Sequence, residues 1–310
     1  MARFDPTPVP GYDPILRINL RERAEGGPPL SEVQAGWKHR NALPQRELLV
    51  LIHGYNNHRQ EAESAYAGLR KRQVARLSER SGHTVFEERL GDVFWPGDAE
   101  WAGVVDKLDF TFYSKAVSVA KDVAPRIAAY LRTRTDVLTV HFLAHSLGCR
   151  VALEIIDDIA RGGGPAVGKV CFLAAAVPTF KVCPGPRGSL VCAVDKAGEL
   201  LVLFSPDDIV LSAAFRGGQT IASGDEGFFP VAVGHAGDIP LTPGKVDRVH
   251  IKRAGHSHYW GHESGDPSDL SATAIFKFFR FDGLGARTLS ERPLTTSRPD
   301  LPSRRIADRN

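Results

Sequence analysis

The chain has 310 residues, of which 43% are hydrophobic and 24% are charged, and its formal net charge at neutral pH is +3. This length and composition suit a folded domain with one sizeable core. The charge is too small, and the Lys and Arg residues are too dispersed, for a nucleic-acid partner. No apolar run approaches the roughly 20 residues needed to cross a bilayer, and the first ten residues lack the apolar stretch of a secretory signal. We therefore expect no membrane partner and a cytoplasmic location.

The cysteines favour the same compartment. Cys149 and Cys171 lie in apolar segments, as buried reduced thiols do. Cys183 and Cys192 flank a turn rich in Pro and Gly, but we expect no disulfide between them outside an oxidising compartment. No C-x-x-C pair indicates a zinc site.

The ends of the chain differ in composition from its centre. Residues 1–45 are rich in Pro, Gly and charge and are predicted to form a loosely packed N-terminal arm, in which the alternating stretch 15–20 could be an edge strand. Residues 46–283 are predicted to form the folded domain. Residues 284–310 contain many Arg, Ser and Pro residues and are predicted to be a flexible tail.

Within the domain, continuous apolar runs have the length of strands that are buried on both faces of a parallel sheet. They cover 47–52, 93–95, 137–144, 169–176, 199–204 and 246–252. Helical patterns cover 61–80, 114–134, 147–160 and 270–279, and Pro125 is expected to kink the second helix or to mark a boundary. This alternation predicts one doubly wound, mostly parallel α/β sheet with helices on both faces.

A serine follows the strand predicted at 137–144. The sequence Ala144-His145-Ser146-Leu147-Gly148 joins this strand to a helix, where hydrolases with a nucleophile elbow carry G-x-S-x-G. The tight turn needs small residues two positions before and after the serine, and Ala144 is small. An elbow would present Ser146 Oγ above the sheet edge, with the N–H of Leu147 facing a developing oxyanion. The alternative is a serine in a turn with no catalytic role.

The strand predicted at 47–52 ends in His53-Gly54-Tyr55-Asn56-Asn57. In elbow hydrolases a backbone N–H just after an HG motif completes the oxyanion hole, so Tyr55 is the expected donor. Gly54 would let the backbone approach the substrate. The alternative is an ordinary strand exit that contains a glycine. The residues that could line a pocket are His53, Gly54, His145 and Trp95, although a core position at a strand end suits Trp95 slightly better.

The remaining catalytic groups are expected after later strands. Ser205-Pro206-Asp207-Asp208 ends one strand, and Asp208 is the predicted acid. Asp207 is the alternate acid, which would otherwise cap the following helix. His256 lies just beyond the last strand and is the predicted base, with His258 as its alternate. The chain order Ser146, Asp208, His256 is that of elbow hydrolases, in which the histidine activates the serine and the aspartate orients the histidine.

A rival interpretation of the histidines is a metal site. His256, His258, His262 and Glu263 lie within eight residues, and imidazole is a common zinc ligand. A catalytic zinc usually needs three converging protein ligands, however, and nothing else in the chain supplies such a scaffold. No metal and no cofactor are therefore predicted. A non-catalytic binding protein is a further alternative, but the presence of all three catalytic residue types argues against it.

Together these motifs resemble a bacterial family of uncharacterised esterase- and lipase-like α/β hydrolases. They are H-G-Y-N-N at 53–57, W-P at 95–96 and H-S-L-G at 145–148. The match covers about residues 47–160 and is weaker at the acid and the histidine. The resemblance implies an α/β-hydrolase fold and a Ser–His–Asp site. A serine hydrolase acting on a small-molecule ester is therefore the expected function.

Overall fold

The computed structural model describes residues 14–23, 27–37, 46–55, 57–76, 89–98, 110–216, 230–236, 245–260 and 265–281. The described residues form eight strands in one sheet, with the order β2-β1-β4-β3-β5-β6-β7-β8. The strands are β1 (Leu16–Arg21), β2 (Pro29–Trp37), β3 (Glu47–Ile52), β4 (Leu90–Phe94), β5 (Thr139–His145), β6 (Ala166–Leu173), β7 (Glu199–Phe204) and β8 (Val246–His250). Strand β2 is antiparallel to β1, and all other neighbours in the sheet are parallel.

The helices pack in two groups. They are α1 (Arg59–Val74), α2 (Phe110–Thr133), α3 (Gly148–Gly162), α4 (Thr179–Val182), α5 (Val191–Lys196) and α6 (Asp266–Phe279). Helix α1 contacts α6, whereas α3 contacts both α2 and α5. The central strands β3 and β5 are buried along almost their whole length, which requires cover on both faces. The predicted doubly wound, mostly parallel sheet is confirmed.

Most predicted elements occur close to their expected bounds. Strands β3 and β7 match residues 47–52 and 199–204. Strand β6 ends earlier than predicted because Ala174 adopts a left-handed conformation (φ 46°). Pro125 lies inside α2 and does not mark a boundary, since the helix continues to Thr133. None of the helices in the described ranges has both the length and the apolar character of a membrane span.

The N-terminal region corrects one expectation. Strands β1 and β2 are not part of a loosely packed arm, because both belong to the sheet. Strand β1 lies between β2 and β4 rather than at the edge. Its alternating pattern arises because Leu16, Ile18 and Leu20 are fully buried, whereas Arg17 is exposed. The predicted tail at 284–310 lies outside the described residues.

The cysteines are as expected. All four are free, and Cys149 and Cys171 are buried. Burial raises the pKa of both thiols well above the ordinary range, so they remain neutral.

Candidate active site

Ser146 occupies the turn between β5 and α3. Its φ of 53° is left-handed, which is unfavourable for a residue with a Cβ atom. The end of β6 holds the turn in place: the Ser146 N–H donates to the Leu173 carbonyl (2.9 Å), and the Ser146 carbonyl accepts from the Ala176 N–H (3.1 Å). The surrounding backbone thus imposes the strained conformation, as it often does at functional sites.

The serine hydroxyl lies at one end of a chain of hydrogen bonds. Ser146 Oγ is 2.9 Å from His256 Nε2, and His256 Nδ1 is 2.8 Å from Asp208 Oδ2. Asp208 is fully buried, whereas the His256 side chain is 20% exposed. A carboxylate can only accept, so the proton lies on Nδ1 in the neutral ring, and the Nε2 lone pair faces the serine. The fold brings the three residues selected from the sequence into contact.

The two neighbouring aspartates have different environments. Asp208 uses both carboxylate oxygens, because Oδ1 also accepts from the Leu211 N–H (3.1 Å). Asp207 is exposed, and its carboxylate accepts from the Arg253 N–H (3.0 Å). The side chain of Asp208, and not that of Asp207, therefore bonds to a backbone N–H of the π-helical turn at Val210–Ala214. This corrects the capping role expected for Asp207.

The segment that carries His256 is held by side chains from other elements. We call residues 251–260 the histidine loop. Its carbonyl groups accept hydrogen bonds from three side chains: His145 Nε2 to His256 O (2.8 Å), Ser268 Oγ to His258 O (3.0 Å) and Ser271 Oγ to Tyr259 O (2.6 Å). Both serines are on α6 and fully buried. The last helix thus fixes the position of the loop.

His258 faces its own loop. Its Nδ1 accepts from the Gly255 N–H (2.7 Å), so this ring nitrogen anchors the loop and does not face Ser146. A left-handed φ in a loop is usually found at glycine, but in the histidine loop it is found at Arg253 (59°) and not at Gly255. The chain therefore leaves β8 through a strained arginine. His250, at the end of β8, is exposed and stacks on Phe204.

A second loop, which follows β3, lies against the serine turn. We call the described residues 53–55 and 57–58 the HG loop. A Cβ atom on Gly54 would lie 2.8 Å from Ser146 Cβ, and one on Gly148 would lie 2.3 Å from the His53 carbonyl oxygen. Both positions therefore require glycine for the loop and the turn to touch. Among the described residues, no backbone carbonyl accepts from the N–H of Leu147.

Two residues expected to line a pocket instead support the HG loop from the core. His53 and Trp95 are fully buried and stack at 5.6 Å. Trp95 Nε1 donates to the His53 carbonyl (2.9 Å), and the Trp95 N–H donates to His53 Nε2 (3.3 Å). Burial, followed by the charge of Arg21, lowers the pKa of His53 to about 3, so the ring is neutral. The pocket role expected for His53 is therefore corrected to a core role, whereas Trp95 has the core position that suited it slightly better from the sequence.

Comparison with protein families identifies the fold. The family described as alpha/beta hydrolase of unknown function (DUF900) matches residues 33–219, which is more than half of the chain. The chain belongs to this family. The match confirms the predicted α/β-hydrolase fold. It also confirms the broader part of the resemblance drawn from the motifs, which is membership of an α/β-hydrolase family. No curated protein matches the sequence.

Several solved structures are similar to this α/β hydrolase at low identity. One is an esterase/lipase from an uncultured bacterium (10% identity, 79% of each chain covered, TM-score 0.42). Another is carboxyl esterase 2 from Tuber melanosporum (12% identity, 79% of this chain and 80% of that one, TM-score 0.40). A third is a predicted hydrolase from Thermoplasma acidophilum (13% identity, 80% and 91%, TM-score 0.39). Likenesses of this size indicate nothing about the substrate.

An aromatic cluster that sequence reasoning missed adjoins the HG loop of the hydrolase. The ring of Tyr55 meets Tyr113 edge-on at 5.4 Å, and Tyr113 meets Phe215 edge-on at 6.2 Å. The cluster joins the HG loop to α2 and to the residues that follow Asp208. No local sequence signal could have found it, because the contacts link segments far apart in the chain.

The rival interpretation of the histidines as a metal site finds little support among the described residues. Within the described ranges, no group of three His, Cys, Asp or Glu residues is placed to hold a metal ion. The His256 ring bonds to Ser146 and Asp208, and His258 Nδ1 bonds to its own loop. His262 and Glu263 lie outside the described residues.

Proposed function

We propose that the protein is a serine hydrolase that cleaves small-molecule carboxylic esters through an acyl-enzyme intermediate. The observation that carries the proposal is the hydrogen-bonded chain from Ser146 Oγ (2.9 Å) through His256 to Asp208 (2.8 Å). It is supported by the left-handed conformation of Ser146, which is the conformation of a nucleophile on a sharp turn between strand and helix. A serine needs such a base because its hydroxyl is a weak nucleophile at neutral pH.

In the first half of the reaction, Ser146 Oγ attacks the ester carbonyl carbon while His256 Nε2 takes the hydroxyl proton. The carbonyl oxygen becomes an oxyanion, which we propose accepts hydrogen bonds from the backbone N–H groups of Leu147 and Tyr55. Asp208 stabilises the imidazolium through Nδ1. When the tetrahedral intermediate collapses, the bond to the leaving oxygen breaks and His256 Nε2 donates its proton to the alcohol.

In the second half, water attacks the acyl carbon and His256 Nε2 takes one of its protons. Collapse of the second intermediate breaks the bond to Ser146 Oγ and releases the carboxylic acid. His256 returns the proton to the serine, which regenerates the starting state without a cofactor.

Labelling with a fluorophosphonate probe tests the proposal. The wild-type protein should be modified at Ser146, as located by peptide mass mapping, and should hydrolyse p-nitrophenyl esters. Ser146→Ala should abolish both properties. Ser212→Ala is the matched control, because Ser212 is partly exposed in the turn after Asp208 and its hydroxyl donates to the Ile209 carbonyl of the same turn. A wild-type protein that is unlabelled, or labelled at a different serine, would contradict the assignment.

Chelation separates the serine mechanism from the metal alternative. Ester turnover should survive prolonged incubation with EDTA or phenanthroline, since no proposed step uses a metal ion. Loss of activity that zinc restores would favour the cluster of His256, His258 and His262.

A further inference from the structure

The last residue of β1 reaches into the HG loop. Arg21 is only 3% exposed, and its Nη1 donates to the carbonyl oxygens of Asn57 (3.1 Å) and Trp95 (3.0 Å). Its Nη2 forms a buried ion pair with Asp98. A single guanidinium group thus joins three segments: the end of β1, the end of the HG loop and the residues that follow β4.

The HG loop is consequently fixed at both ends. At its start, the His53 N–H donates to the Tyr66 hydroxyl (2.7 Å), which in turn donates to the Val93 carbonyl (2.7 Å). At its end, Arg21 holds the Asn57 carbonyl. Tyr55, whose N–H is the second proposed oxyanion donor, lies between these two anchors.

We infer that Arg21 is a positioning residue for the reaction, because it fixes the HG loop so that the N–H of Tyr55 points at the oxyanion. The inference rests on the proposed function. A backbone donor stabilises an oxyanion only if it is already in position, and a misplacement of about 1 Å can cost about 100-fold in rate. Arg21 suits this task since its planar fork fixes direction as well as distance at several acceptors.

Stability alone is a weaker explanation for this arginine. Buried ion pairs contribute little net stability, because removing both charges from water offsets their attraction. The protein also contains a comparison pair, Arg70 and Asp92, which are similarly buried and join α1 to β4. Arg70 contacts no carbonyl of the HG loop among the described residues. The two arginines therefore differ mainly in their additional contacts, because Arg21 also donates to the carbonyl oxygens of Asn57 and Trp95.

Arg21→Lys is the primary test, with Arg70→Lys as its matched control. A lysine keeps the charge beside Asp98 but cannot hold two carbonyls and a carboxylate in one plane. We expect kcat for a p-nitrophenyl ester to fall about 10- to 100-fold with little change in KM. Binding of a trifluoromethyl ketone, whose adduct with Ser146 carries an oxyanion, should weaken by a similar factor. The pH dependence of kcat/KM should not move, since the base is untouched.

A second variant keeps the test valid if the chain tolerates substitution poorly. Arg21→Met removes the guanidinium group that pairs with the buried Asp98 and leaves its carboxylate beside the His58 ring (3.3 Å). This variant is expected to be strongly destabilised, so the neutral double variant Arg21→Met/Asp98→Asn is used instead. The folded double variant should show the same loss of kcat and of ketone binding as Arg21→Lys. Hydrogen exchange should increase in peptides covering 53–58 and stay unchanged in those covering 251–260.

The outcomes separate this inference from the proposed function. Wild-type kcat and ketone binding in folded Arg21→Lys, or equal losses in Arg70→Lys, would overturn the role of Arg21 while leaving the serine mechanism intact. A shifted pH profile would also overturn it, because the effect would then act through His256. A wild-type protein that the fluorophosphonate does not label would overturn both.

Discussion

The two loops that meet at Ser146 are held in different ways. The HG loop is fixed by buried aromatic and charged groups, Tyr66, Trp95 and Arg21. The histidine loop is held mainly by hydroxyl groups of α6, and the His256 side chain remains 20% exposed. The proposed roles account for the difference. Backbone donors require the whole loop to be preorganised, whereas a side-chain base needs only its ring to be oriented, which Asp208 can do.

This comparison predicts two classes of variant. Changes to the supports of the HG loop should weaken oxyanion stabilisation and leave the base unaltered. Changes in or beneath the histidine loop should act on proton transfer. A variant that affected both properties equally would show that the loops behave as one unit.

The largest effect is expected within the histidine loop itself. His256→Ala should lower the rate of acylation by about four orders of magnitude or more, because the base bonded to Ser146 Oγ is lost. His258→Ala should retain substantial activity with lower stability, since its ring accepts from the Gly255 N–H of its own loop and is not the ring bonded to Ser146 Oγ. Burst kinetics with a p-nitrophenyl ester measure acylation in both. The assignment fails if the His258 variant is the inactive one.

The neighbouring aspartates provide the next contrast. Asp208→Asn should reduce kcat by about 10⁴-fold, because an amide cannot hold the histidine in the required tautomer. Asp207→Asn should keep most of the activity, as its carboxylate faces the N–H of Arg253 on the exposed side of the turn. Steady-state ester turnover by the two proteins decides the matter, and a more severe loss at Asp207 would mean that the acid is wrongly assigned.

Support from α6 should have a smaller effect. Ser271→Ala removes the hydroxyl that donates to the Tyr259 carbonyl and should lower the free energy of unfolding by about 1–3 kcal/mol. Turnover should fall more than ketone binding, because the base and not the oxyanion donors is disturbed. Thr273→Ala is the control, since Thr273 is on the same helix and its hydroxyl donates to the Asp269 carbonyl within that helix. Denaturant titration and inhibition constants provide the two measurements.

His53, at the start of the HG loop, should contribute to the loss of folding stability at low pH. The pKa of His53 is lowered to about 3, so between about pH 6.5 and pH 3 the unfolded chain binds a proton that the folded protein does not. Stability should therefore fall with decreasing pH by about 1.4 kcal/mol per pH unit from this residue. His141, whose pKa burial lowers to about 4, adds a second contribution over a narrower range.

Denaturant unfolding at several pH values checks this expectation. In folded His53→Gln, the slope between pH 4 and pH 6 should be smaller by the contribution of one proton, although stability at neutral pH will also be lower. An unchanged slope would indicate that the buried His53 ring is not the proton-linked group. His141→Gln provides an independent comparison: His141 lies in the middle of β5, away from both loops, and its removal should lower the same slope by a separate contribution that ends near pH 4.

Sequence reasoning located the parts of the site that depend on local signals. Ser146 and the HG motif each follow a continuous apolar run, so the strand exit that positions them is visible within a few residues. Asp208 was chosen over Asp207 by its place in the turn. The fold followed from the same runs, because strands buried on both faces are apolar throughout.

The supports of the site could not be found in this way. Arg21 lies in a segment rich in Pro, Gly and charge, and its acceptors at Asn57 and Trp95 are far away in sequence. Ser271 is a small polar residue in a helix, and only the packing of α6 against the histidine loop gives its hydroxyl a partner. Such contacts depend on tertiary structure, and a single sequence carries no periodic pattern for them.

The left-handed backbone at Ser146 also bears on how this chain would respond to selection for heat tolerance. Ser146→Ala keeps a Cβ atom and therefore keeps the strain, whereas Ser146→Gly removes it and should raise the melting temperature, by the equivalent of up to about 1 kcal/mol after the added freedom of the unfolded chain is subtracted. At this position the more stable variant, Ser146→Gly, is therefore the inactive one. A screen for thermal stability alone would therefore select against the nucleophile. A search for more thermostable variants of this protein must also measure activity.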